Sequence, residues 1–383
     1  MKKRLMAVSM AAVLLGASLA ACGSSKTPDA STQAESKAET KAEGNAATEA
    51  ASEAAETTAA SQDAGGEKTF KVGILKFMDH PSLNQIENNV LEELDALSVN
   101  GVKYNYQNYV LNGQGDATVL NQMAAQLISD GVDAVIPIAT PAAQIMQSQA
   151  EGKDLPIVFS AVSDPVSAKL VSSMDAPGAN ITGTSDFLNT NAIMDLMLAA
   201  NPDTDYVGLL YSKSEDSSEV PIADAKKYLD EKGVKYIEKT GTTTDEVNQA
   251  VDSLIAEGVD AIFTPTDNTI QKAELAFYEK LQDAKIPHYA GADSFALNGA
   301  FVGYGVDYAN LGKATADMVD QILNQGKDPA TLGVETFDNG IATINTDTCE
   351  AIGYNLDDVK TAFKPLCTKI VETKTTQEFG DNK

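Results

Sequence analysis

Two histidines, His80 and His288, and three cysteines, Cys22, Cys349 and Cys367, are all the imidazole and thiol chemistry in the 383 residues. The histidines lie far apart in sequence, and neither has an obvious nucleophile beside it, so metal ligation and general acid–base work have little to draw on. Cationic residues are scarce as well: 28 Lys and Arg stand against 55 Asp and Glu, a formal charge of −27. Holding a phosphate backbone requires a basic stripe that releases counterions, which excludes nucleic acid as a partner. Also missing are a G-x-S-x-G elbow, an H-E-x-x-H pair, a Walker loop and a G-x-G-x-x-G turn after a strand. These absences point away from an enzyme, and neither cofactor nor metal is implied.

The length suits two to three folded units at roughly 150 residues each. Of the −27, residues 1–21 contribute +3 and residues 22–68 contribute −5, so the acidity of −25 belongs to residues 69–383. Lys2, Lys3 and Arg4 precede the apolar run MAVSMAAVLLGASLA. That run is shorter than the ~20 residues a spanning helix needs and has the form of a secretory signal. Leu19-Ala20-Ala21-Cys22-Gly23 then resembles the bacterial lipobox, in which the cysteine is diacylated and becomes the first mature residue. Removal of residues 1–21 and a lipid anchor on Cys22 are therefore expected, giving an extracytoplasmic protein held at the cell membrane. From residue 24 to residue 68 there is no aromatic, Val, Ile or Leu. Such a stretch cannot bury enough apolar surface to offset ordering, and a disordered tether is expected.

From Phe70 onward short apolar runs alternate with amphipathic stretches, the pattern of βα units around parallel sheet. KVGILKF, VKYNYQNY, VDAVIPIA and LPIVFSA are expected strands; helices are expected over 82–97, after a cap at Asp116, and from Pro141. The order then recurs. VGILKF (72–77) aligns with VGLLYS (207–212), VKYNY (102–106) with VKYIE (234–238), NQMAAQLISDGVDAVI (121–136) with NQAVDSLIAEGVDAIF (248–263), and PIVFSAVSD (156–164) with KIPHYAGAD (285–293). Offsets of 135, 132, 127 and 129 hold the spacing to a few residues, which implies a duplicated α/β lobe. Ligands of open parallel sheets bind beyond the carboxyl ends of the strands, so two such lobes make a cleft that can close like a hinge.

The same register places Thr140 opposite Asp267, each just past the third strand of its lobe. Thr140, Ala142 and Ala143 offer a hydroxyl and free helix-start N–H groups, suited to a carboxylate; Ser160 and Ser163 could add hydroxyl and N–H donors from the next strand-end loop, which also carries Asp164 as a candidate site residue. N-capping is the alternative role for Thr140. Asp267, beside Asn268, offers a carboxylate to an ammonium, with helix capping as its alternative role; Asp293 or Asp307 could replace it. An anion cradle facing an acid suits an α-amino acid. Phe77, Tyr211, Tyr304 and Tyr308 fall near strand ends or a crossover, where stacked rings would favour an aromatic cargo. His80 is expected to line the cleft, and His288 to be structural.

Several of these segments together carry a family resemblance: VGIL (72–75) with HPSL (80–83), IATPAAQ (138–144), FSAVSDPV (159–166), GTSD (183–186), PTDNTI (265–270) and YGVDYANLG (304–312). The chain resembles the substrate-binding lipoproteins of ABC transporters, within them the tryptophan/tyrosine-binding group. The resemblance implies the periplasmic binding protein type I fold: two Rossmann-like lobes, parallel sheets flanked by helices, joined by crossover hinges. It implies lobes of residues 69–184 with 309–333, and of 185–308 with 334–383, the last including a tail that departs from the pattern. It also implies a monomer that passes an amino acid to an ABC permease and its ATPase. A sugar, nucleoside or other solute in the same fold, or an extracytoplasmic hydrolase, are the alternatives. Cys349 and Cys367, left even in number once Cys22 is lipidated, are expected to form a disulfide in that compartment, with free buried thiols as the alternative.

Overall fold

The computed structural model describes residues 67–380; the leader, Cys22 and the tether up to residue 66 lie outside the described residues. The first lobe opens with β1 (Lys68–Lys76), α1 (Pro81–Leu97), β2 (Val102–Asn105), β3 (Val110–Asn112), α2 (Ala117–Ser129), β4 (Ala134–Ile138), α3 (Thr140–Gln149), β5 (Ile157–Phe159) and β6 (Ile181–Ser185). The second follows with α4 (Thr190–Ala200), β7 (Tyr206–Tyr211), α5 (Glu219–Lys232), β8 (Lys235–Thr240), α6 (Thr244–Glu257), β9 (Ala261–Thr264), α7 (Asn268–Ala284), β10 (His288–Ala290), α8 (Asp293–Leu297) and β11 (Val302–Gly305). The chain returns to the first lobe for α9 (Tyr308–Leu323) and β12 (Glu335–Thr336). It ends in the second with β13 (Ile341–Asn345), α10 (Thr346–Ala351), α11 (Leu356–Phe363) and β14 (Lys369–Thr373).

Strand order is β12-β6-β5-β4-β1-β2 in one sheet, with β3 also on β1, and β14-β13-β11-β10-β9-β7-β8 in the other. The run β5-β4-β1-β2 in the first sheet matches β10-β9-β7-β8 in the second, so the repeat seen in the sequence is a repeat of topology. Pairing is parallel except between β11 and β13. Parallel strands covered by helices on both faces are apolar throughout, and Val72, Ile74 and Leu75 of β1 are fully buried.

α1 buries Leu83, Ile86, Val90 and Leu94, one helical face, beneath α9. Each such side chain contributes about 1.5–3 kcal/mol by leaving water. Close approach of the two helices requires Gly312, where a Cβ would stand 2.7 Å from the Ile86 carbonyl oxygen. Asp116 caps α2 as expected, accepting from the N–H groups of Thr118 and Val119.

Three sequence expectations change. VKYNYQNY is a strand only over Val102–Asn105: the chain turns at residues 106–109 and a separate strand follows from Val110, the nine-residue β1 pairing Lys68–Lys71 with β2 and Ile74–Lys76 with β3. The third crossing falls after Thr336 and not at residue 333, since Glu335 and Thr336 pair with Thr184 and Ser185 of the first sheet. Cys349 and Cys367 are free thiols: their sulfurs contact the carbonyls of Tyr354 and Phe363 respectively, each within its own local turn, and both pack on the second-lobe core. The crossings run through residues 186–189, 306–307 and 337–340.

Candidate functional site

The carboxyl ends of β1, β4 and β5 face those of β9 and β10 across a small cavity lined from both lobes. The first lobe contributes His80, Ser82 and Leu83 after β1, Ala139 and Thr140 after β4, and Ala161 and Ser163 after β5. From the second come Thr266, Asp267 and Asn268 after β9, with Ala292, Ser294 and Phe295 after β10. Asp186 on the first crossing and Tyr308 just past the second close one edge.

Side-chain caps close most of the helix N-termini. Asp116, Asn189, Thr243, Asp267, Asp307, Asn345 and Asn355 cap α2, α4, α6, α7, α9, α10 and α11 with their side chains. α1 and α3, whose N-termini open on the cavity from the first lobe, have no side-chain cap, and neither do α5 and the short α8 of the second lobe. The first-turn N–H groups of α1 and α3 are left for an anion, and the helix dipole favours one by about 0.3–1 kcal/mol, up to ~2 when partly buried. Ala139 and Ala161 hold φ of 80° and 54°, a left-handed backbone unusual for alanine that turns the strand-end loops. Arg4 is the sole arginine of the chain, so no guanidinium is available here and a carboxylate must be met by backbone and hydroxyl donors.

Acidic groups fall into two kinds. Asp267 is 1% exposed and already engaged: Oδ1 accepts from the Ile270 N–H at 3.0 Å, and Oδ2 from the Ser212 N–H at 2.7 Å and the Ser218 hydroxyl at 2.8 Å. Glu215 lies behind it, accepting from Asn268 Nδ2 and from the N–H and hydroxyl of Thr269. Burial, then the charge of Asp267, raises the Glu215 carboxyl. Asp186 is different. It is 6% exposed, its Oδ1 accepts from the Ser163 hydroxyl at 2.9 Å and its Oδ2 from the Tyr308 hydroxyl at 3.2 Å. Among the described residues no lysine pairs with it, and burial raises its pKa.

Direct hydrogen bonds join the lobes around the cavity: His80 Nε2 to Asn268 Oδ1 at 2.9 Å, Ser82 Oγ to Ser294 Oγ at 2.7 Å, and Gln144 Nε2 to Asp216 Oδ2 at 2.9 Å. The conformation is closed. Burial pushes the His80 imidazole down to about 4, outweighing the contact with Asn268.

Of the residues singled out in the sequence, His80, Thr140, Ser163, Asp267, Asn268 and Tyr308 line the cavity. Thr140 is the first residue of α3, and the cap position belongs to Ala139. Ala142 and Ala143 are buried within α3 behind that wall. Ser160 is turned to the Thr315 hydroxyl, and Asp164 accepts from Ser167 near the surface. Phe77 lies in the first-lobe core and Tyr304 in the second. Tyr211 donates to Glu238 away from the cavity. Asp307 caps α9, and Asp293 starts α8, pushed by burial up to about 7. His288 is structural, between Glu274 at 3.0 Å and Thr264 at 2.8 Å. Asp186, Phe295 and Thr266 were not singled out as site residues; only GTSD at the first crossing held a signal for the first of them. No group of three potential metal ligands exists among the described residues.

The ABC transporter substrate binding protein family matches residues 71–361. A tyrosine-binding protein of Clostridioides difficile (strain R20291) is 31% identical over 289 residues, 75% of this chain and 81% of that protein. Among solved structures, an ABC domain in complex with L-Trp from Streptococcus pneumoniae is 31% identical, covers 79% of this chain and 100% of that one, and has a TM-score of 0.72. A ligand-free, open substrate binding protein with adhesive properties from Clostridium difficile is also 31% identical, over 80% of this chain and 100% of that one, with a TM-score of 0.60. At equal identity the present conformation is nearer the complex than the open form, in keeping with its interlobe hydrogen bonds.

Proposed function

The chain belongs to the ABC transporter substrate-binding protein family, and on that premise we propose that it captures an aromatic amino acid in the interlobe cavity and delivers it to a membrane permease. As a member of that family it is an extracytoplasmic solute-binding protein and not an enzyme. The observation that carries the ligand assignment is the pairing of two uncapped helix N-termini on one wall with Asp186, a buried carboxylate neutralised by no cation, at the edge of the same cavity. Donors without an anion and an acid without a cation together fit a zwitterion.

The ligand carboxylate lies against the starts of α1 and α3 with the Thr140 hydroxyl. Its ammonium goes to Asp186, since the oxygens of Asp267 are engaged within the second lobe. Asp293 and Asp307 remain outside this assignment, the one starting a short helix and the other capping α9. Leu83, Phe295 and Tyr308 supply apolar and aromatic wall for a ring. Relatives bearing on tyrosine and L-Trp support this choice of cargo. Closure buries the ligand, and the closed surface is what a permease and its ATPase would select. Lipidation at Cys22 would hold the monomer at the membrane through its tether; acylated N-terminal peptide, lost together with membrane attachment in Cys22→Ala, tests that arm.

Thermal-shift screening against amino acids, sugars and nucleosides tests the cargo. A ligand at 100 times its Kd adds about 2.7 kcal/mol, so tyrosine, tryptophan or phenylalanine should raise Tm, while a response confined to sugars or nucleosides would replace the assignment.

A further inference from the structure

The contact between His80 and Asn268 does more than join the lobes. Asn268 Nδ2 donates to Glu215 Oε2 at 2.7 Å, which leaves Asn268 Oδ1 as the atom 2.9 Å from His80 Nε2. An amide oxygen only accepts, so Nε2 carries the ring proton and Nδ1 is a bare acceptor. That Nδ1 is buried and has no partner among the described residues, on a side chain that lines the cavity. His80 stands at the cap position of α1 without capping it, so the helix does not use this lone pair either. An unpaired buried acceptor on a ligand-binding wall is costly until something donates to it.

Resting on the aromatic amino-acid reading, we propose that His80 Nδ1 accepts a hydrogen bond from a donor on the ligand's ring, a phenol O–H or an indole N–H, with Asn268 and Glu215 as positioning residues that keep it an acceptor. The ammonium already has a charged partner in Asp186, which leaves the ring donor for the imidazole. Phenylalanine, lacking that donor, would close the cavity over an unpaired nitrogen; a neutral hydrogen bond of this kind discriminates by about 10- to 100-fold. Burial keeps the ring neutral. A proton taken up by Glu215 can rest on Oε1, 3.0 Å from the Thr269 hydroxyl, so that Oε2 still accepts from Asn268.

Because the chain has two histidines, ¹⁵N-histidine NMR of the tyrosine-bound wild type reads the tautomer directly. The Nε2–H form is expected at His80, and an Nδ1–H form overturns the proposal. Calorimetry with tyrosine and phenylalanine then compares wild type with His80→Asn, whose amide reaches the place of Nδ1, and His80→Gln, whose amide reaches that of Nε2. The wild type should prefer tyrosine by about 10- to 100-fold, His80→Asn should keep part of that preference, and His80→Gln should lose it. Retention in His80→Gln with loss in His80→Asn would make His80 a lobe latch and overturn the proposal. Equal binding of both ligands by the wild type overturns this inference alone, whereas failure to bind any aromatic amino acid overturns the reading beneath it.

Discussion

The Tyr308 hydroxyl donates to Asp186 Oδ2 across 3.2 Å, although the two residues are 122 apart in sequence. One lies on the first passage between the lobes and the other just past the second, so a hinge contact is also the acidic edge of the cavity. On the proposed reading, closure and charge recognition would share residues.

Asp186→Asn should weaken amino-acid binding by about 2–5 kcal/mol, the usual loss when one member of a buried charge pair is removed. Tyr308→Phe keeps the charge and should cost about 1 kcal/mol. The chain contains no tryptophan, so the emission of bound tryptophan can be titrated without background. Unchanged affinity in Asp186→Asn would return the ammonium to another acid.

Asp267→Ala should act first on stability. It removes the α7 cap, about 1–2 kcal/mol, and leaves the Ser212 N–H and Ser218 hydroxyl buried without their acceptor, each ~1–3 kcal/mol. Urea denaturation without ligand should therefore show a loss on the order of 3 kcal/mol. Full stability with abolished binding would show the opposite division of labour.

Binding should weaken in acid. The pKa of Asp186 is raised in the empty site, and an ammonium requires its ionised form, so affinity is complete above that raised pKa and declines as pH falls through it. His80 acts in the same direction: its closed-state pKa of about 4 lies below its ordinary 6.5. Its contribution to closure is present above 6.5 and is lost as pH falls through about 4, with Lys76 and Asp79 the charged groups that bear on it. Calorimetry from neutral to acidic pH should give a monotonic fall, less steep in Asp186→Asn; affinity rising in acid would reverse both signs.

Gly183 is set in β6 at φ +153°, where an added Cβ would press on the Phe159 carbonyl and stand 2.6 Å from its N. Gly183→Ala should cost on the order of 3 kcal/mol, and by displacing β5 should disturb the loop carrying Ala161 and Ser163. A melting temperature equal to wild type would contradict this packing.

Both Cys349 and Cys367 should alkylate once the chain is denatured without reductant, and reductant should leave Tm unchanged. Recovery of a bridged 349–367 peptide would contradict the free thiols.

The sequence by itself determined the duplicated lobes and the wall residues that follow each strand, because the alternation of buried strand and amphipathic helix is local and repeats with nearly constant spacing. His80, Thr140, Ser163, Asp267 and Asn268 could be placed on the cavity from that register alone. How each carboxylate is engaged could not, since it depends on donors from distant elements: Ser212 and Ser218 bind Asp267 within the second lobe, whereas the Ser163 and Tyr308 hydroxyls meet Asp186 at the cavity edge. The same holds for the aromatic wall, where Phe77 and Tyr304 turned into lobe cores and Phe295 reached the cavity. Periodicity fixes which face of an element is buried, but only the packing of one lobe against the other decides what that face meets.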